Sequence, residues 1–174
     1  MPQVPLSLAA SAVLSVVAQG PTHGFAIARL FREDGELGRV WALPRPAIYR
    51  ELGRLEERAL ITARRSEHGD AGPDRRVLGA TAAGRALAAA WLCAPVERVR
   101  EFRSEFLLKL ALHERAGSDP GPLLAAQRSV FAHRVDDLRA AARAAEGFDR
   151  QLLLWRALST EAALHFLDET TGLH

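Results

Sequence analysis

The spacing of apolar residues predicts a helical start to the chain. Residues 8–18 are apolar on almost every side, which is typical of a central buried helix. Gly20 and Pro21 then end this helix, because glycine accepts the terminal conformation and proline cannot continue it. A second helix is expected with Thr22 as its N-cap. Its predicted inward residues are Phe25, Ile27, Leu30 and Phe31.

A third helix and a hairpin follow. Four apolar residues recur at intervals of four, three and four, which places them on one narrow stripe of a helix. These are Ile48, Leu52, Leu55 and Ala59. From residue 61 the period changes to two, which predicts strands over 61–67 and 74–78 around a turn-rich tip at 68–73. A fourth helix over 82–92 has Thr81 as its cap.

The order helix, helix, helix, hairpin, helix is that of a winged helix-turn-helix. We therefore predict a mainly α fold with a small β wing, in which residues 1–92 form the winged helix domain. Residues 93–174 are predicted to form a C-terminal α-helical domain.

Three amphipathic helices are expected in that second region. The fifth helix is predicted to have Pro95 as its first residue and to carry Val99, Phe102, Phe106 and Leu110. The sixth starts at Asp119-Pro120, and the seventh is capped by Asp149. The seventh helix is predicted to turn inward Leu152, Trp155, Leu158, Ala162 and Phe166. Since the chain offers these stripes no further partner, we expect the same region of a second copy to cover them in a homodimer.

Composition and charge narrow the class of protein. The chain is 48% hydrophobic and 25% charged, as soluble globular proteins are. Its longest apolar stretch is too short to span a bilayer, and the lone Cys93 suits a reducing compartment, so we expect a cytoplasmic protein without a membrane segment. Residues 39–85 hold ten arginines and six acids, whereas residues 93–174 hold eleven basic and twelve acidic residues. This asymmetry favours nucleic-acid contact by the first half.

Signals of catalysis or of metal binding are missing from the sequence. There is no phosphate-binding glycine loop and no nucleophile elbow. His113, His133 and His165 lie on separate predicted helices without the spacing of metal ligands. His23 is expected to bond backbone in the turn before the second helix. We therefore expect neither an enzyme nor a cofactor.

Three segments resemble PadR-type regulators, in the order and spacing of that family. Residues 14–25 resemble its helix-turn segment, in which a His-Gly-aromatic triplet opens the second helix. Residues 47–61 resemble its recognition helix, with the pattern aliphatic-Tyr-x-x-Leu-x-x-Leu-Glu, and residues 72–85 resemble its second wing strand. Residues 96–173 resemble the longer helical C-terminal domain of one branch. The resemblance implies a ligand-responsive repressor that binds an inverted repeat as a homodimer.

Two departures from the family pattern concern the wing and the end of the recognition helix. Family members carry tyrosines in the second wing strand, where this chain has Val77 and Leu78. A glycine commonly ends the recognition helix, where this chain has Ala59. We expect the turn there to be formed in another way.

The third helix is the candidate DNA-binding element, since a helix with one apolar stripe and an arginine-bearing outer face fits a major groove. Arg50 and Arg54 can reach guanine edges or phosphates, and Tyr49 a phosphate or a thymine methyl. Gly53 removes a side chain where backbone and DNA approach. Wing arginines suit phosphates or a narrow minor groove. The predicted DNA-binding residues are Arg45, Tyr49, Arg50, Gly53, Arg54, Arg64, Arg65, Arg75 and Arg76.

Each of these residues also has a plainer interpretation. Arg50 and Arg54 can form ordinary ion pairs with Glu51 and Glu57 on a solvated face. Tyr49 can be mere packing, and the wing arginines ordinary hairpin charge. The alternative for the whole domain is a winged-helix protein-protein interaction module that does not bind DNA.

Two tryptophans are candidate effector contacts. Trp91 ends the fourth helix next to the helical arm, and Trp155 lies on the seventh helix. Both are predicted either to pack in the core or to line a pocket for a small aromatic effector at the dimer interface.

Overall fold

A computed structural model of the chain describes residues 5–69 and 72–171, and the side chains of residues 65–75 lie outside that description. The elements are α1 Leu8–Ala18, α2 Gly24–Leu30, α3 Arg45–Glu57, β1 Ile61–Gly69, β2 Gly72–Ala80, α4 Ala82–Cys93, α5 Val99–Glu101, a π-helical segment Phe102–Phe106, α6 Leu107–Ala116, α7 Gly121–Ala144 and α8 Gly147–Thr171. The predicted class, mainly α with a two-stranded wing, is confirmed.

Two compact units divide the chain. The first comprises Met1–Leu92 together with Leu108–Ser118, and the second comprises Cys93–Leu107 together with Asp119–His174. The main segment of the first unit ends at Leu92, and the division into domains 1–92 and 93–174 stays a prediction. The unit also takes in Leu108–Ser118, whose Leu108 and Leu112 are fully buried in its core.

Helix α1 runs through the core of the first unit, as its all-round apolar character predicts. Its N-cap is Ser7, whose Oγ accepts a hydrogen bond from the Ala10 N–H at 3.1 Å. The helix packs against α3 and β2. Fully buried side chains around it include Leu14, Ile27, Phe31, Ile48 and Leu55.

Helix α2 differs from its prediction in its N-cap residue and in the position of Phe25. The N-cap is His23 rather than Thr22, and the His23 Nδ1 accepts from the Ala26 N–H at 3.1 Å. Thr22 instead exchanges two backbone hydrogen bonds with Leu78, at 2.7 and 3.0 Å, which attaches the turn to the wing. Phe25, predicted to be inward, is 46% exposed.

The exposure of Phe25 follows from helix geometry. The buried residues Gly24, Ile27, Ala28 and Phe31 recur at intervals of three, one and three, which is one helix face. Phe25 is turned about 100° from Gly24 and leaves that face.

The end of α3 carries strained backbone at Ala59, which has φ 53°. The Ala59 N–H donates to the Glu56 carbonyl at 2.8 Å, and the Leu60 N–H donates to the Leu55 carbonyl at 2.9 Å. These are the two bonds of a Schellman motif, which usually has glycine at this position. The expectation of a different turn was therefore wrong, because alanine adopts the left-handed conformation itself. Ala59 is also exposed rather than part of the buried stripe.

The wing is an antiparallel hairpin that is longer than predicted. Ile61 pairs with Ala80, and an irregularity after Ala63 shifts the register. Val77 and Leu78, which replace the family tyrosines, are both buried. Thr81 then caps α4 as predicted, since its Oγ1 accepts from the Gly84 N–H at 3.1 Å.

The second unit consists chiefly of α7 and α8, which pack side by side in opposite directions. Arg128 pairs with Asp168 at 2.7 Å near one end, and Arg139 pairs with Glu161 further along. The hydrogen bonds from Arg139 hold the pKa of the Glu161 carboxyl below its usual range.

An irregular helix packs into this unit through its aromatic residues. The predicted fifth helix is interrupted by the π-helical segment, in which the Phe102 and Phe106 rings stack with centroids 4.4 Å apart. Phe131 of α7 and Phe166 of α8 lie against Phe102, at 5.5 and 5.7 Å. No described helix is both long and apolar enough to cross a membrane.

Helix α8 turns a different face inward from the one predicted, and it begins at Gly147, with Asp149 in its first turn rather than at its cap. Its buried residues are Ala157, Thr160, Ala163 and Leu167. Trp155 is 69% exposed, Leu158 55% and Phe166 38%. The prediction of an inward position was wrong for Trp155 and Leu158 in the isolated chain, because α8 turns Ala157, Ala163 and Leu167 inward instead. Phe166 is partly exposed and also lies against Phe102.

Candidate nucleic-acid interface

Gly53 lies at the centre of the exposed face of α3. With about 100° per residue, Arg50 and Arg54 flank it on one side, and Tyr49 flanks it on the other. The Arg50 and Arg54 side chains are 57% and 60% exposed. A Cβ atom added at Gly53 meets nothing within 4 Å, so no neighbour in the chain requires glycine there. An open glycine between arginines is a surface that a large partner can approach closely.

Both arginines are held by one buried carboxylate. The Arg54 Nη1 donates to Glu51 Oε1 at 3.1 Å, and the Arg50 Nε lies 3.5 Å from the same oxygen. Glu51 itself is only 3% exposed. The predicted ion pairs with Glu51 are thus present. They leave DNA contact open, because a guanidinium has five N–H donors and most of them stay available for bases or phosphates.

Arg45 lies between two aromatic rings on the other flank. Its guanidinium carbon is 5.8 Å from the Phe25 ring centroid and 5.4 Å from that of Tyr49. Cation–π attraction therefore orients a side chain that would otherwise be mobile. Tyr49 is 43% exposed and is not a core residue. Sequence reasoning missed Phe25 at this surface, although the spacing of the buried α2 residues carried the signal.

Gly24, the glycine of the triplet that opens α2, lies against the Tyr49 ring of α3. A Cβ added there would lie 2.8 Å from the Tyr49 ring. The Tyr49 ring would therefore have to shift from this position if α2 began with a residue that has a Cβ.

The wing and α3 border a groove of about 550 Å³. Across it, Arg76 of β2 makes two hydrogen bonds to Glu56 of α3, at 2.5 and 2.8 Å. Arg64 is exposed, and its side chain lies against Gly79, where an added Cβ would overlap it. The side chains of Arg65 and Arg75 lie outside the described residues.

The two candidate effector residues belong to different units. Trp91 is half-buried at the end of α4, against the core of the first unit. The Lys109 Nζ lies 4.7 Å from its ring centroid, and Lys109 is 1% exposed. Trp155, on α8 in the second unit, is exposed rather than a core residue. Among the described residues, no three His, Cys, Asp or Glu side chains are placed to hold a metal ion.

Comparison with known protein families finds a match within the first unit. Residues 13–90 match the model of the transcriptional regulator PadR-like family. The match covers the three segments that resemble PadR-type regulators, so that resemblance is confirmed. Residues 13–90 are a PadR-like domain, which supports a role as a DNA-binding transcriptional regulator.

The fold of the chain is similar to that of a solved PadR structure. Bacillus subtilis PadR in complex with operator DNA shows 22% identity and a TM-score of 0.50, over 95% of this chain and 99% of that chain. The same PadR in complex with p-coumaric acid shows 20% identity and a TM-score of 0.45, over 96% and 98%. The protein smu.1604c from Streptococcus mutans UA159 shows 14% identity and a TM-score of 0.45, over 94% and 98%. No curated protein matches significantly.

Proposed function

We propose that this PadR-like chain is a cytoplasmic homodimeric repressor that binds an inverted repeat in double-stranded DNA and responds to a small aromatic effector. The observation that carries the DNA-binding part is the outer face of α3. It combines an open central glycine with three arginines held in place by Glu51 or by aromatic rings.

Sequence-specific contact with the bases is assigned to one flank of α3, and contact with the phosphates to the other. Arg50 and Arg54 reach base edges in the major groove, since arginine donates a bidentate pair of hydrogen bonds to guanine. Arg45 and Tyr49, at the N-terminal half of α3, contact phosphates and set the orientation of the helix. The wing adds Arg64, whose exposed side chain lies against Gly79.

Dimerisation is assigned to the outer face of α8. Its exposed apolar residues fall within about 80° of one another on the helix, over a length of about 27 Å. They are Phe148, Trp155, Leu158, Ala162 and Phe166. A single large apolar stripe exposed on a chain favours pairing with its own copy, because a two-fold axis makes one stripe cover another. Two recognition helices then read two half-sites, one or two helical turns apart.

The effector is assigned to Trp91. The Lys109 ammonium covers one face of its indole, so a flat ligand takes the other face or displaces the lysine. Titration of tryptophan fluorescence with aromatic acids, in the Trp91→Leu and Trp155→Leu variants, tests this. Quenching that survives in Trp91→Leu removes the assignment.

DNA binding itself is tested by anisotropy of a labelled duplex titrated with the full chain over a salt series. The logarithm of affinity should fall linearly with the logarithm of salt, with a slope near 0.9 for each phosphate neutralised. Binding that does not depend on salt would favour the alternative, a winged-helix module that binds another protein.

A further inference from the structure

Glu56 and Arg76 form a charge-neutral pair within the surface assigned to DNA. Glu56 Oε2 accepts from Arg76 Nη1 at 2.8 Å, and Glu56 Oε1 accepts from Arg76 Nη2 at 2.5 Å. The geometry is the parallel two-bond form that is strongest for an arginine and a carboxylate. The Arg76 side chain is 60% exposed and that of Glu56 33%. The contact joins two elements, the recognition helix and the second wing strand, across 20 residues of sequence.

This arrangement changes the charge that the wing presents. A free arginine attracts phosphates of any sequence, whereas an arginine paired with a carboxylate carries almost no net charge at that distance. A free carboxylate at the same position would repel DNA. The groove that holds the pair is also lined by Arg45, Tyr49 and Gly53, so the pair lies among the residues assigned to DNA contact.

We infer that Glu56 is a positioning residue that holds Arg76 on the recognition helix and so limits the binding of DNA without regard to sequence. The pair increases discrimination between DNA sequences. When one cation per protomer is neutralised, less of the affinity comes from phosphate attraction and a larger share comes from the base-reading arginines. The inference rests on the proposed DNA-binding function of this face.

Three variants of the full chain separate the contributions of Glu56 and Arg76 to DNA binding. Glu56→Gln, Arg76→Gln and the double variant are titrated against a 40-base-pair mixed-sequence duplex without an inverted repeat, over a potassium chloride series. Glu56→Gln should steepen the salt slope by about 0.9 per protomer, which corresponds to about eightfold tighter binding per protomer at 0.1 M salt relative to a 1 M reference. Arg76→Gln should weaken binding, because it leaves the carboxylate alone.

The double variant decides the matter, since it replaces one neutral pair by another. Its binding and salt slope should return to those of the unaltered protein. If the double variant instead binds as weakly as Arg76→Gln, and Glu56→Gln changes nothing, Arg76 contacts phosphate independently of Glu56 and the inference fails.

Glu114→Gln is the matched control, because it removes the same charge from an exposed position on α6, outside α3 and the wing. An equal gain from Glu114→Gln and Glu56→Gln would show a general charge effect and overturn the inference. Circular dichroism establishes that each variant is folded. If the unaltered protein shows no salt-dependent binding, the proposed function fails and the inference with it. If it binds and only the pattern among variants differs, the inference alone fails.

Discussion

Replacing Gly53 by alanine should make the protein more stable and a poorer DNA binder at the same time. Gly53 lies inside α3, with no atom within 4 Å of an added Cβ. Glycine within a helix destabilises by about 0.5–1 kcal/mol relative to alanine, because it loses more backbone entropy on folding. The free energy of unfolding should therefore rise by about that amount, and Tm by about 1–4 °C for a chain of this size.

The same methyl group meets DNA if α3 lies in the major groove. A well-packed contact that receives an extra carbon loses about 1–3 kcal/mol, which is a loss of roughly fivefold to more than a hundredfold in affinity. Urea unfolding measures the first effect, and fluorescence anisotropy with a labelled duplex measures the second. Opposite signs in the two assays are expected only where a glycine serves a partner and not the fold.

Gly117 provides the matched control, because its added Cβ also meets nothing within 4 Å but its φ is 61°. Gly117→Ala should lower stability by about 1–2 kcal/mol through backbone strain and leave DNA affinity unchanged. Full DNA affinity in a stabilised Gly53→Ala protein would refute the close approach of α3 to DNA.

Four further outcomes follow from the structure. Ala59→Gly should raise the free energy of unfolding by about 1 kcal/mol in urea titrations, since φ 53° is strained for alanine; an unchanged midpoint would contradict that strain. In sedimentation velocity the unaltered protein should form the proposed dimer and Trp155→Glu a folded monomer, because Trp155 lies on the exposed apolar stripe of α8; a dimer that persists in the variant would place the interface elsewhere. Arg50→Ala should cost about 1–3 kcal/mol of operator affinity and relax sequence preference in competition titrations, whereas an equal loss on every sequence would make it a phosphate contact. Pairing with Arg139 lowers the pKa of Glu161 in the folded protein, so the pair contributes stability above the unfolded pKa, and that stability is lost as pH falls through the folded pKa. Glu161→Gln should therefore lower the free energy of unfolding at neutral pH but not in acid. A difference that does not depend on pH would argue against the pair.

The order of elements in the first unit could be predicted from the sequence because each depends on local patterns. The apolar period of α3, the change to period two at Ile61 and the cap at Thr81 all act within a few residues. The end of α3 shows the limit of this reasoning. Alanine rarely adopts positive φ, so propensity argued against a turn that the packing of Leu60 imposes.

The candidate site was predicted less completely, because pairing between elements is not local. The sequence placed Arg76 on the wing but carried no sign of its bond to Glu56. Trp155 was assigned inward because it lies on an apolar stripe. Such a stripe indicates that a helix face is buried, but it does not tell whether the same chain or a second copy buries it. Phe25 was misassigned because a short helix offers few residues to define its face.

Selection of genomic DNA fragments by the full chain, followed by sequencing, tests sequence-specific binding through α3. Fragments that share an inverted repeat, with half-sites one or two helical turns apart, should be enriched. Enrichment should be lost in the Arg50→Ala, Arg54→Ala double variant, while circular dichroism shows that the variant is folded. Fragments recovered without any shared sequence, or equally by the double variant, would contradict sequence-specific binding through α3.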